Sequence, residues 1–548
     1  MCEVCQALAD TSASVTGISG DCPASTLDSG NYRTDDTITI YFVGNGDQAN
    51  AADEIADPSG SDEIESDGWS AYEEDRVMAA LSTISNYINV SFEETSSPDA
   101  DFQLVLDDDE FSSSGLLGYF YQPAFVGDNS AVMGAFNADG LGWNTNGGLE
   151  EGGLGYATII HEILHGLGLD HPHDGDTILS GLEGSTSNAN YPFGFYGDFD
   201  LNQQVYTIMS YNDGWFGAPA SDNSGNASTP MALDIAILQE SYGANTSYNT
   251  GDNTYEIGDD TWVGIWDAGG NDTISYSGAD DVTIDLREAT LQYADGGGGY
   301  ISTAEGLAGG FTIANGAVIE NATGGSGDDL LIGNGVDNAL TGNDGNDDIF
   351  GGRGDDEIDA GAGNDEADGN SGADEINATS GTNTIFGSSG FDDITGGSGV
   401  DTIFGGSGDD DISGGAGGDI LYGGKGNDTI DGGDGADEII GGLGADDLTG
   451  GAGADGFVFE FISDSYAGAG NRDTITDFDI GTDDIDLSNI NGLSFVGTTA
   501  FTNTAGEVRL DENGGDTIVQ VDSNGDGSAD LEILIDSVTG LSASDFIL

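Results

Sequence analysis

Over the first 245 residues the spacing of apolar positions changes from segment to segment, and each spacing predicts an element. "TITIYFV" (37–43) alternates apolar and polar residues like a half-buried strand. In "EEDRVMAALSTISNYI" (73–88), Val77, Leu81, Ile84 and Ile88 recur at helical spacing and mark one apolar face. "DFQLVLD" (101–107) reads as a strand. So does "SAVMGAFN" (130–137), either as core or as an edge strand to which an extended peptide could add. "PMALDIAILQESYG" (230–243) reads as a helix closed by Gly243. Strands interleaved with helices predict a mixed-sheet α/β domain over 31–245, after a small, polar tail or pro-segment at 1–30.

The texture changes after residue 246. A connecting β segment (246–323) carries an isolated Gly-Asp turn, "WDAGGNDTISYSG" (266–278). Residues 324–458 then divide into fifteen consecutive nine-residue units without insertion, among them "GGSGDDLLI" (324–332) and "GGKGNDTID" (423–431). The fourth position is Gly except Val336, the sixth is Asp except Asn338 and Asn383, and the eighth is large and apolar except Ala367. This spacing predicts a six-residue turn followed by a three-residue strand whose eighth-position side chain points inward. Nine residues are too few for a crossover helix between parallel strands. The array must therefore wind as an all-β solenoid, each turn burying its apolar residue against the next. A flexible glycine linker has no reason to hold Asp and Ile in register over such a length. A β cap is expected over 459–548.

Composition narrows the function. Seven basic residues face 101 acidic ones, for a net charge of −94. Such a chain repels nucleic acid and anionic membranes and attracts divalent cations. The repeat supplies hard oxygens: glycine leaves backbone carbonyls uncovered, and the sixth position adds a carboxylate. That donor set suits Ca²⁺, which takes six to eight oxygen ligands. The candidate calcium ligands are Asp329, Asp347, Asp356, Asp365, Asp374, Asp392, Asp401, Asp410, Asp419, Asp428, Asp437, Asp446 and Asp455. One Ca²⁺ per unit would add at most 15 × 2 = +30 and leave −64, so most acidic residues are solvated surface, as in proteins of saline environments.

The chain has four histidines, and three lie in "HEILHGLGLDH" (161–171). His161 and His165 share one helical face. Gly168 can adopt a left-handed conformation and turn the chain back, so that His171 meets them from another direction. Three imidazoles and an open position are the ligand set of a catalytic zinc. Glu162 is free to act as general base toward a zinc-bound water, which points to peptide-bond hydrolysis. A closed, structural zinc site would need a fourth ligand. His173 is the nearest candidate, but "HPHDG" reads as a surface loop.

The spacing H-E-x-x-H-x-x-G-x-x-H resembles the metzincin motif, and "YTIMSYND" (206–213) resembles its methionine turn. With Tyr211 two residues after Met209, and with a roll of glycine-Asp repeats downstream, residues 31–548 resemble a serralysin-type protease with repeats-in-toxin units. The resemblance implies one catalytic zinc on His161, His165 and His171, with Glu162 as base and Met209 as the floor of the site. It implies Tyr211 as a fifth ligand or oxyanion stabiliser, although a packed core tyrosine is the plainer alternative. It further implies a parallel β-roll with several structural calcium ions, protein or peptide substrates, and a monomer. The final "DFIL" resembles the end of an uncleaved signal read by type I secretion machinery, which makes the expected location extracellular. No run of 18 apolar residues predicts a transmembrane helix, and "MCEVCQALADTSAS" lacks the pattern of a cleaved signal. Cys2, Cys5 and Cys22 read as tail thiols or, less plainly, as a thiolate latch on the zinc. The rival class is a calcium-dependent adhesin or polysaccharide-binding protein with a vestigial protease domain. It would be marked by a broken zinc motif, which here is intact.

Overall fold

The computed structural model describes residues 30–46, 66–107, 117–120, 131–140, 147–172, 201–212 and 224–548 apart from 293 and 295, together with residues 27, 122, 142, 143 and 199. Cys2, Cys5, Cys22 and His173 lie outside the described residues. The chain forms two compact units, residues 1–273 with 286–319 and residues 274–285 with 320–548. The segment expected to connect two domains is therefore shared between the units.

The first unit holds a five-stranded sheet of β1 (Thr37–Phe42), β2 (Ser91–Glu94), β3 (Phe102–Asp107), β4 (Gly118–Phe120) and β5 (Val132–Asn137), in the order β2-β1-β3-β5-β4. All neighbours are parallel except β4, which runs antiparallel to β5. Every residue of β3 and β5 is buried, as expected of central strands covered on both faces. The edge-strand reading of 130–137 is thus corrected. The strand is interior, and the short β4, whose three residues carry too little pattern to be read, forms the edge.

Helix α1 (Ala71–Ser85) begins two residues earlier than its apolar period shows, because Ser70 and Glu73 close a capping box. It also ends sooner. Ile88 lies past the Asn86 cap, buried, in a bridge to Ala244. Helix α2 (Leu154–Gly166) packs against α1, with the Thr83 and Tyr156 hydroxyls 3.4 Å apart. Helix α3 (Ala232–Tyr242) ends at Gly243, whose φ of 76° favours glycine.

In the second unit each nine-residue unit contributes a strand to one of two sheets in alternation, so parallel neighbours are 18 residues apart: Leu331 with Ile349, Leu340 with Ile358, Ile385 with Ile403. The eighth-position residues from Leu331 to Phe457 are at most 1% exposed and form the core between the sheets. Each large one contributes about 1.5–3 kcal/mol relative to an exposed side chain. Most strands are longer than the predicted three residues. Asp348–Arg353 and Thr402–Ser407 run on through the first three positions of the following unit, because ladder hydrogen bonds join backbone groups whatever the side chain. Close stacking requires glycine at the turn. Gly408 has φ 146°, and a Cβ there would overlap the Gly390 carbonyl. Beyond the array one sheet is completed by Asp484–Asp486 and Phe546–Ile547, and the other continues through Asp473–Ile475 and Leu531–Ile535 into the strands Asp516–Asp522, Glu507–Asn513 and Ser494–Gly497.

Candidate metal centres

Helix α2 is apolar almost all round and buried, which fixes its rotation and aims His161, Glu162 and His165 in definite directions. It stops at Leu167. Gly168 follows with φ 103°, and its N–H donates to the His165 carbonyl at 2.9 Å. That turn brings His171 back as its spacing predicts. Its Nε2 lies 3.1 Å from Nε2 of His161 and 3.0 Å from Nε2 of His165.

The opposite ring nitrogens define the tautomers. His161 Nδ1 lies 2.9 Å from the Ile208 carbonyl, and His165 Nδ1 lies 2.6 Å from the Leu169 carbonyl. A nitrogen facing a carbonyl carries the proton, so both Nε2 atoms present lone pairs toward His171. Lone pairs converging at such distances repel unless a cation lies between them. A tetrahedral ion with metal–nitrogen bonds of about 2.0–2.1 Å sets its ligand atoms about 3.3 Å apart, so the three nitrogens fit zinc.

Glu162 is buried, and among the described residues its Oε2 has no hydrogen-bond partner. Burial pushes its carboxyl up to about 8. A cation at the histidines would favour the carboxylate form. Gly118 of the edge strand packs on it: a Cβ there would come within 2.9 Å of Glu162 Cγ. Met209 is fully buried, and the Tyr211 ring lies 4.6 Å from that of His171 and 5.9 Å from that of His161.

Three supports escaped the sequence reading. Asp234, buried at the start of α3, accepts hydrogen bonds from Thr207 Oγ1 (2.6 Å), Ile208 N (2.8 Å) and Met231 N (2.9 Å). It thereby fixes the residue, Ile208, whose carbonyl seats His161. Burial raises its carboxyl to about 6 although these donors lower it. Tyr242, at the other end of α3, donates to the Leu167 carbonyl at 2.8 Å. Gln122 Nε2 donates to the carbonyl of Leu169 at 2.7 Å, the same oxygen that meets His165. The single signal for Asp234 was its place in the first turn of a predicted helix.

In the second unit the sixth-position side chains stack in two rows. From Asp347 to Asp455 each Oδ1 accepts the backbone N–H of the sixth-position residue one turn earlier: Asp329 N to Asp347 at 2.8 Å, Asp392 N to Asp410 at 3.0 Å, Asp437 N to Asp455 at 3.0 Å. Each Oδ2 from Asp347 to Asp455 is buried without a donor. Asp329 differs, since its Oδ1 accepts from Val282 N (2.9 Å) and its Oδ2 from Gly325 N (2.6 Å). Burial raises the carboxyls, to about 7 at Asp347 and Asp428 and about 6 at Asp356, Asp374, Asp392 and Asp446. Rows of oxygens lacking donors fit Ca²⁺. The rows also extend beyond the array: Asp446 N donates to Asp473 Oδ1 and Asp455 N to Asp483 Oδ1, each at 3.0–3.1 Å. Asp473 Oδ2 lacks a donor, and burial, then the Asp446 charge, raises its carboxyl to about 9. Both residues were missed because 27 and 28 residues, not 18, separate them from their partners.

A family model described as Peptidase M10 serralysin C terminal matches residues 241–548, more than half of the chain. A serralysin of Proteus mirabilis is 35% identical over 164 residues, covering 27% of this chain and 31% of that protein. A serralysin of a Photorhabdus species is 33% identical over 261 residues, covering 44% and 51%. The chain thus spans about half or less of the length of these curated relatives. Among solved structures, myroilysin aligns at a TM-score of 0.24 and 16% identity over 40% of this chain and 98% of that one, and no argument rests on so low a score.

Proposed function

The chain belongs to the Peptidase M10 serralysin family, and from that premise we propose that it is a secreted zinc endopeptidase whose repeat roll is stabilised by calcium. The observation that carries this reading is the convergence of the three Nε2 atoms beside a buried carboxylate oxygen that has no partner. Zinc held by His161, His165 and His171 would acidify a bound water and polarise the scissile carbonyl. Glu162 Oε2 takes the proton from the attacking water and passes it to the leaving amine. The carbonyls of Ile208 and Leu169 hold two imidazoles in the tautomer that leaves Nε2 open. Tyr211, whose ring lies against those of His161 and His171, steadies the developing oxyanion.

Substrate lies along β4, not β5. Among the described residues β4 pairs on one side only, and its Gly118 packs on Glu162. An extended peptide added there presents its main chain to the site with little demand on its side chains. Export by a type I system rests on the family resemblance.

The test is Glu162→Ala. Zinc content should remain at one per chain while casein hydrolysis falls about 10²–10⁴-fold. Full activity in that variant would refute the role of Glu162.

A further inference from the structure

The rungs of the roll are not all alike. Along the rows, the sixth-position Oδ2 of many units shares a cradle with the carbonyl thirteen residues onward, beside the glycine that opens its own unit. A Cβ on Gly396 would lie 2.9 Å from Asp401 Oδ2 and 2.8 Å from the Gly414 carbonyl. On Gly405 it would lie 2.7 Å from Asp410 Oδ2 and 2.8 Å from the Gly423 carbonyl, and on Gly432 it would lie 2.7 Å from both Asp437 Oδ2 and the Gly450 carbonyl. In each cradle a buried carboxylate oxygen without a donor and a carbonyl oxygen face the same space. While the carboxyl is ionised, a cation reconciles them.

Asn383 keeps half of this arrangement and replaces the other half. Its Oδ1 accepts the Asp365 N–H at 3.0 Å, as an aspartate would. Its second atom is Nδ2, which donates to the Gly396 carbonyl at 3.3 Å, the carbonyl thirteen residues onward. The amide hydrogen thus supplies the positive charge that the other cradles lack. Asn338 is turned the other way. Its Oδ1 accepts from Asn334 N at 2.8 Å, and its Nδ2 reaches back to the Glu320 carbonyl at 2.9 Å. Ala378 replaces glycine at the start of the Asn383 unit, but Ala360 does so ahead of Asp365, whose Oδ2 still lacks a donor. The amide, not the methyl, sets the rung apart.

We propose that Asn383 is a metal-free rung, its side-chain amide standing in for a calcium ion, so that one row is divided into separate calcium-filled runs before and after it. The inference rests on the calcium reading above. Its structural consequence is a turn that closes without metal in the middle of an array that otherwise needs it.

The test counts calcium bound to the full chain by inductively coupled plasma mass spectrometry after gel filtration in calcium-buffered solution. Asn383→Asp, alone or with Ala378→Gly to restore the opening glycine, should bind one more ion than the unaltered protein. Asp401→Asn should bind one fewer, which shows that a single rung is resolved. Equal counts in the unaltered protein and both Asn383 variants, with Asp401→Asn reduced, would overturn the inference alone. An unaltered protein without bound calcium, or an unchanged count in Asp401→Asn, would overturn the calcium reading and this inference with it.

Discussion

The two units handle metal-binding groups in opposite ways. In the first, three imidazoles from one eleven-residue segment converge on a single point, and the orientation of two of them is set by carbonyls that Asp234 and Gln122 help to hold. In the second, one carboxylate geometry recurs at most turns and its orientation comes from the neighbouring turn's backbone. A convergent site fails when one member is lost. A repeated site fails in proportion to the rungs removed, or wholly when the shared cation is withdrawn.

The largest expected effect follows from withdrawing the cation. Calcium removal from the intact protein should abolish the roll's β signal in circular dichroism, since each row then holds facing buried carboxylates. A spectrum unchanged by chelation would erase the contrast. Next comes Asp234→Ala, which releases the N–H of Ile208, the residue whose carbonyl seats His161. It should weaken zinc binding about 10–100-fold, measured against a competing chelator, without changing the calcium count. An unchanged zinc affinity would show that the site does not need this support.

The smallest effect is on pH dependence. The row carboxyls are raised from their unfolded value to about 6 at Asp356 and about 7 at Asp428, so their ionisation opposes the metal-free fold. Stability of that fold is full below the unfolded pKa of about 3.9 and is lost as pH rises through the folded values. The chelated protein, which lacks the roll's β signal at pH 8, should therefore recover part of it at pH 5, where the row carboxyls are protonated. An equal signal at the two pH values would indicate that the rows are not buried without metal.

Legibility in the sequence followed the range of the determining contacts. The zinc histidines and Glu162 were readable because one helix and one glycine turn place them, and the rows because a fixed period repeats their surroundings. Where the period breaks, as before Asp473 and Asp483, pairing continues in space but not in spacing. Asp234 and Gln122 act on atoms 26 and 47 residues away through backbone groups, which leave no side-chain pattern. The edge position of β4 depends on the whole sheet order. The length of the roll strands depends on backbone pairing to which glycine contributes as fully as isoleucine.

The most direct test of the central claim is zinc back-titration. The protein is stripped with 1,10-phenanthroline in calcium-containing buffer, and casein hydrolysis is followed as zinc is returned. The account predicts that activity vanishes on stripping and returns in full at one zinc per chain. Undiminished hydrolysis by the zinc-free protein would contradict it.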